Sequence, residues 1–336
     1  VRIRTFVAWM ERHQIGLYLA AIIAGSAAGF LAPGTAGALE LAINPVLGLL
    51  LYATFLGIPF ASLGQAARDV RFMATVLVLN FAVVPLVVFG LSRFITEDRD
   101  LLVGVLLVLL TPCIDYVMVF TGLAGGASDR LLAAAPVLML AQMLLLPLYL
   151  LVFVGPGLVS AIDPAPFVQA LVGLIVVPLA LAALTQRLAR RGRLARRGAL
   201  GQPWLGQRVM AAMQALMVPL MMATLAVVVG SQIVGVRQEL GSLLAVVPLY
   251  AAFLLVMAPL GLLAARTAGL DPPATLAVVF SGATRNSLVV LPLALALPEP
   301  LALAALVVVT QTLVELLGMV AYVRFLPRLV PSRTAV

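Results

Sequence analysis

Ten apolar runs fill most of this 336-residue chain, near residues 14–32, 43–61, 72–94, 101–124, 130–154, 165–186, 209–233, 242–265, 273–297 and 300–323. Each is about 20 residues long, the length a helix needs to cross the hydrocarbon core of a bilayer. None shows the alternation of a barrel strand, so the backbone groups must be satisfied within helices. With 63% hydrophobic and only 10% charged residues, a soluble domain of this length is excluded. The expectation is an all-α integral membrane protein with ten transmembrane helices. The first run follows "VRIRTFVAWMERHQ" and carries "AGSAAGF", in the manner of a signal peptide, but nine further runs favour an uncleaved first helix.

The placement of charge orients those helices. All 21 basic residues are arginine, and 17 fall on one side of the ten-span reading: Arg2, Arg4, Arg12, Arg68, Arg71, Arg130, seven from Arg187 to Arg208, Arg266, Arg324, Arg328 and Arg333. Arg93, Arg99 and Arg237 fall on the other. The positive-inside rule then puts both termini in the cytoplasm of a cell whose inner (plasma) membrane the chain crosses repeatedly. The formal charge of +8 is thus a topology signal, and no nucleic-acid partner is expected. The bilayer itself is the expected partner, and the basic stretch 187–208 suits either a plain linker or docking on anionic headgroups.

That stretch divides the sequence into residues 1–186, with spans one to six, a cytoplasmic linker 187–208, and residues 209–336, with spans seven to ten. A weak internal likeness recurs at a spacing of about 170 residues. "YAT" at 52–54 answers "MAT" at 222–224, and "LLTPCID" at 109–115 answers "VFSGATR" at 279–285. Two five-span repeats related in this way lie inverted in the membrane, the plan of many secondary transporters.

Away from the loops and helix ends, the spans hold just three charged residues, Asp115, Arg285 and Glu315. Each costs about 2.5–3.5 kcal/mol at the centre of a span unless it has a partner or an aqueous cavity. At the repeat spacing Asp115 and Arg285 correspond, and both lie among helix breakers and small polar residues: Thr111 and Pro112, then Ser281, Gly282, Thr284, Asn286 and Ser287. The fourth and ninth helices are therefore expected to be broken and to cross, exposing half-helix termini where a solute and a coupling ion bind. A Pro kink with a buried ion pair is the alternative.

The single cysteine, Cys113, rules out an intrachain disulfide and any cysteine cluster for zinc or iron–sulfur, so no resident metal or cofactor is expected. On its own it reads either as a small buried hydrophobe or as a thiolate ligand for a soft cargo. Asn80, Gln142, Thr310 and Gln311 either line a cavity or hydrogen-bond between helices. Glu315 is a carboxylate placed to carry a proton.

Ten spans, "TPC" in a broken fourth helix followed by "GLAGGASDR", the break "SGATRNS" in the ninth, "LVELLGMVAYV" in the tenth and the Asn80 to Pro85 spacing resemble the bile acid and arsenite transporter superfamily. The chain is most similar there to the arsenite-efflux permeases. That resemblance implies proton-driven export of trivalent arsenic, arsenite and also antimonite, with Cys113 matching the permease cysteine. It departs at Ser287, where the permeases carry a glutamate, and Asp115 is then the expected substitute. The Arg285–Asn286 pair is more similar to the sodium-coupled organic-anion branch.

Cys113, Asp115, Arg285, Asn286 and Ser287 are thus the expected substrate site, with Glu315, Asn80, Gln142, Thr111 and Gln311 coupling or lining it. The competing reading is a sodium-coupled symporter of a small organic anion. An intramembrane enzyme with Cys113 as nucleophile is disfavoured, because the sole histidine, His13, precedes the first span and no base is placed to activate the thiol.

Overall fold

A computed structural model describes residues 2–57, 69–114, 116–155, 165, 168–169, 172–195, 205–298 and 301–330. In chain order the helices are α1 (Arg2–Arg12), α2 (Gln14–Leu31), α3 (Ala36–Gly57), α4 (Val70–Val78), α5 (Val84–Ser92), α6 (Arg99–Leu109), α7 (Tyr116–Leu123) and α8 (Ser128–Val154). They continue as α9 (Val177–Ala195), α10 (Leu205–Ala215), α11 (Met217–Gln238), α12 (Leu240–Leu244), α13 (Val247–Thr267), α14 (Pro272–Ala283), α15 (Ser287–Leu295) and α16 (Leu303–Leu329). The described residues hold no strand, only one isolated bridge.

Among the described residues, eight helical segments are long and apolar enough to cross a membrane: Gln14–Leu31, Pro33–Gly57, Val70–Ile95, Ser128–Val154, Val172–Ala189, Met217–Gln238, Leu240–Thr267 and Leu303–Leu329. The chain is an all-helical, multi-pass membrane protein. The runs expected as spans four and nine are each found as two shorter helices, α6 with α7 and α14 with α15.

Two compact units share the chain. One holds residues 1–60 and 165–238. In it α2 and α11 approach so closely that a Cβ on Gly25 would meet the main chain of Ala226, and one on Gly29 that of Gly230. Small residues four apart on both helices permit this contact, the usual device where lipid supplies no hydrophobic drive. Tyr52 Oη and Thr185 Oγ1, 2.9 Å apart, link α3 to α9, and Gln186 Nε2 donates to the C-terminal carbonyl of Leu56 at 3.1 Å.

The other unit holds residues 61–164 and 239–336. Residues Leu101 to Leu109 of α6 are buried throughout. At Gly104 an added Cβ would lie 2.7 Å from Val307 Cβ, so α6 and α16 are in close contact. Between α4 and α5 the backbone widens into a π turn, Leu79–Val83. Pro85 explains it: the ring supplies no N–H to the carbonyl of Phe81 and crowds it. The Phe81 carbonyl instead accepts the Tyr149 hydroxyl at 2.6 Å. At one end of this unit Arg130 donates to both carboxylate oxygens of Asp271, at 2.9 and 3.0 Å, and pairs with Asp69 at 3.2 Å, tying the starts of α4, α8 and α14.

Candidate functional site

Pro112 has no N–H to continue α6, and the helix stops at Leu109. The chain resumes as α7 at Tyr116. On the other side α14 stops at Ala283, Thr284 is extended, and Asn286 caps α15 with its Oδ1 accepting the Val289 N–H at 3.3 Å. The two interruptions meet as a short antiparallel pair. Cys113 N–H donates to the Thr284 carbonyl at 3.2 Å, Asn286 N–H donates to the Thr111 carbonyl at 2.9 Å, and Pro112 lies opposite Arg285. Each break thereby satisfies main-chain groups of the other, as a non-helical segment at membrane depth requires. The threonine hydroxyls turn back onto their own helices, Thr111 to Leu107 O at 2.9 Å and Thr284 to Phe280 O at 2.7 Å.

Arg285 is fully buried at this crossing. Its Nη2 donates to Asn80 Oδ1 at 2.8 Å, Ser281 O at 2.8 Å and Gly282 O at 2.7 Å, and Nη1 donates to Leu109 O at 3.3 Å. The face of Phe253 lies 5.4 Å from the guanidinium carbon. Asn80, in the π turn, is held in place by donating through Nδ2 to Val76 O at 2.9 Å and Ser281 Oγ at 3.0 Å.

Glu315 reaches the crossing from α16 and meets the backbone of Arg285. Its Oε2 accepts the Arg285 main-chain N–H at 2.8 Å, its Oε1 accepts the Tyr116 hydroxyl at 2.7 Å, and Gln311 Nε2 donates to it from one turn earlier. One carboxylate thus holds the start of α7 and the strand before α15 together. Nearby, Thr312 Oγ1 donates to Ser287 Oγ at 2.7 Å.

Residues 44–239 match the profile of the sodium bile acid symporter family, which is more than half of the chain. This chain belongs to that family. The match takes in the first crossover strand, with Cys113, and ends before the second. The symporter-family chain is also similar to the arsenical-resistance protein Acr3 of Corynebacterium glutamicum, 30% identical over 112 residues, or 33% of this chain. The matched stretch spans only 30% of that relative's length.

In this family member the residues expected from sequence fall into three groups. Cys113, Thr111, Arg285, Asn286, Ser287, Asn80, Gln311 and Glu315 are all buried and are joined through the bonds just described. Gln142 is buried in α8, and among the described residues it makes no hydrogen bond to the crossing and its Oε1 has no partner. Asp115 lies outside the described residues. The residue paired across the bridge with Arg285 is Pro112, three positions before Asp115. Sequence reasoning passed over Tyr116, Thr312 and Phe253. Tyr116 had a signal, a phenol directly after the break, and Thr312 lies three residues before Glu315, on the same helical face.

Proposed function

We propose that this chain is a secondary transporter that exports trivalent arsenic, with antimonite as a second cargo, across the inner membrane in exchange for protons. The observation that carries the reading is Cys113: the only sulfhydryl of the chain lies buried in a non-helical crossover, hydrogen-bonded to its counterpart strand. Arsenite, As(OH)3, exchanges one hydroxide for the cysteine sulfur, and the thiol proton leaves with that hydroxide as water. A sulfur ligand suits a soft metalloid and discriminates against hard ions. Partial similarity to an arsenical-resistance protein supports the same cargo.

Ten spans in two inverted repeats are the proposed frame, with a cytoplasmic linker at 187–208 and both termini in the cytoplasm. Two features support it. Each compact unit draws corresponding spans from both halves, and the hydrogen bonds at the crossing are reciprocal. Glu315 is the proposed proton carrier, with Asp115, which precedes Tyr116 in the sequence, as a second carboxylate. Ionised, Glu315 accepts three donors; protonated, it must release or reverse one of them, which couples its charge to the packing of α7 and α15.

Sodium-coupled symport of a small organic anion is the second reading, favoured by the family to which the chain belongs. Arsenite uptake into everted vesicles, with proton and sodium gradients imposed separately, tests both. Accumulation driven by the proton gradient is the expected result. Accumulation of a carboxylate that requires sodium, with arsenite ignored, favours the alternative.

A further inference from the structure

A guanidinium usually meets a carboxylate through two parallel bonds. The acceptors of Arg285 among the described residues are instead one side-chain amide oxygen and three main-chain carbonyls. Its Nη2 has two hydrogens but three oxygens at 2.7–2.8 Å, so it sits among them as a cation in a coordination shell. Ser281 and Gly282 belong to the last turn of α14, and Leu109 is the last residue of α6. Both are half-helix C-termini, whose unpaired carbonyls carry partial negative charge and in membrane carriers hold the coupling cation.

We propose that the Arg285 guanidinium is a tethered cation occupying a carbonyl cage of the kind that binds sodium, so that this member of a sodium symporter family needs no sodium ion there. Asn80 Oδ1, Ser281 O, Gly282 O and Leu109 O are the cage. All four are hard oxygen donors, suited to an alkali cation once the guanidinium is removed. The side chain supplies permanently the positive charge that a symporter takes up and releases in each cycle. The inference concerns the cage alone and stands whatever the cargo of the site.

Thermal melting of the purified full chain in NaCl, KCl and choline chloride at equal ionic strength tests it. The wild type is expected to melt at one temperature in all three salts. Arg285→Ala and Arg285→Gln are expected to melt lower in choline chloride and to recover about 2–4 °C in sodium alone, increasing with its concentration. Arg285→Lys keeps a tethered charge and is expected to ignore sodium. The proposal is overturned if both neutral variants melt alike in the three salts. It is equally overturned if neither can be extracted folded in any of them, sodium included, or if sodium protects the wild type as much as the variants.

Discussion

Glu315 accepts the main-chain N–H of Arg285 at 2.8 Å, while the guanidinium of the same arginine points to Asn80. The two buried charges are therefore neighbours without a side-chain ion pair between them. The carboxylate binds the main chain of the crossing, and the guanidinium binds carbonyls and the Asn80 amide.

Glu315→Gln replaces one acceptor oxygen with an NH2 group that faces a donor. We expect a loss of about 1–3 kcal/mol in stability, since one buried donor is left unsatisfied. Arsenite accumulation in everted vesicles should no longer respond to an imposed proton gradient. A glutamine variant that still follows the gradient removes Glu315 as the proton carrier.

Cys113→Ser is nearly isosteric at a buried position and keeps the main-chain bond to Thr284. Melting should fall only modestly, by the equivalent of about 1–3 kcal/mol for burying a hydroxyl. Arsenite resistance of cells expressing the variant should fall to the level of cells without the transporter, because oxygen is a poor ligand for a soft metalloid. Full resistance would return Cys113 to a packing role.

Asn80→Leu takes away one oxygen from the Arg285 guanidinium and the amide donor of Ser281 Oγ. The bond to a charged group alone is worth about 1.5–3 kcal/mol, so chemical denaturation should show at least that loss. A midpoint equal to that of the wild type would mean that Asn80 does not hold the arginine.

Two glycines of α2 should behave oppositely. A Cβ on Gly29 meets the backbone of Gly230, whereas one on Gly16 meets nothing within 4 Å. Gly29→Ala should destabilise by about 1–3 kcal/mol through overpacking. Gly16→Ala should be neutral or stabilise by about 0.5–1 kcal/mol through helix propensity. Equal melting temperatures would contradict the close approach of α2 and α11.

Much of this was legible in the sequence, for reasons that also mark where legibility ended. Ten apolar runs announce themselves by length in the sequence, and eight long apolar helices are found among the described residues, because lipid imposes a fixed thickness on a helix. Pro112 and the "SGAT" stretch marked the breaks, since proline and small polar residues interrupt the helical ladder. Arg285 and Glu315 stood out because charge is rare at such depth. Sequence could not reveal that the guanidinium contacts Asn80, 205 positions away, or that Glu315 binds main chain instead of side chain. Those contacts depend on which faces of α4, α14 and α16 meet, and helical periodicity is faint when nearly every position is apolar. The repeat spacing places Asp115 opposite Arg285, and Asp115 lies outside the described residues; among these the bridge pairs Arg285 with Pro112.

The reciprocal bonds of the crossing also bear on how the chain is made. Cys113 N–H and the Thr111 carbonyl find their partners in Thr284 and Asn286, which leave the ribosome some 170 residues later. Until then the break between α6 and α7 has main-chain groups that lipid cannot satisfy. This segment must wait as an unbroken helix, or stay beside the insertion machinery, until α14 and α15 arrive. Assembly of this unit is therefore post-translational with respect to its first half, and a chain truncated before residue 284 leaves the crossing unfinished.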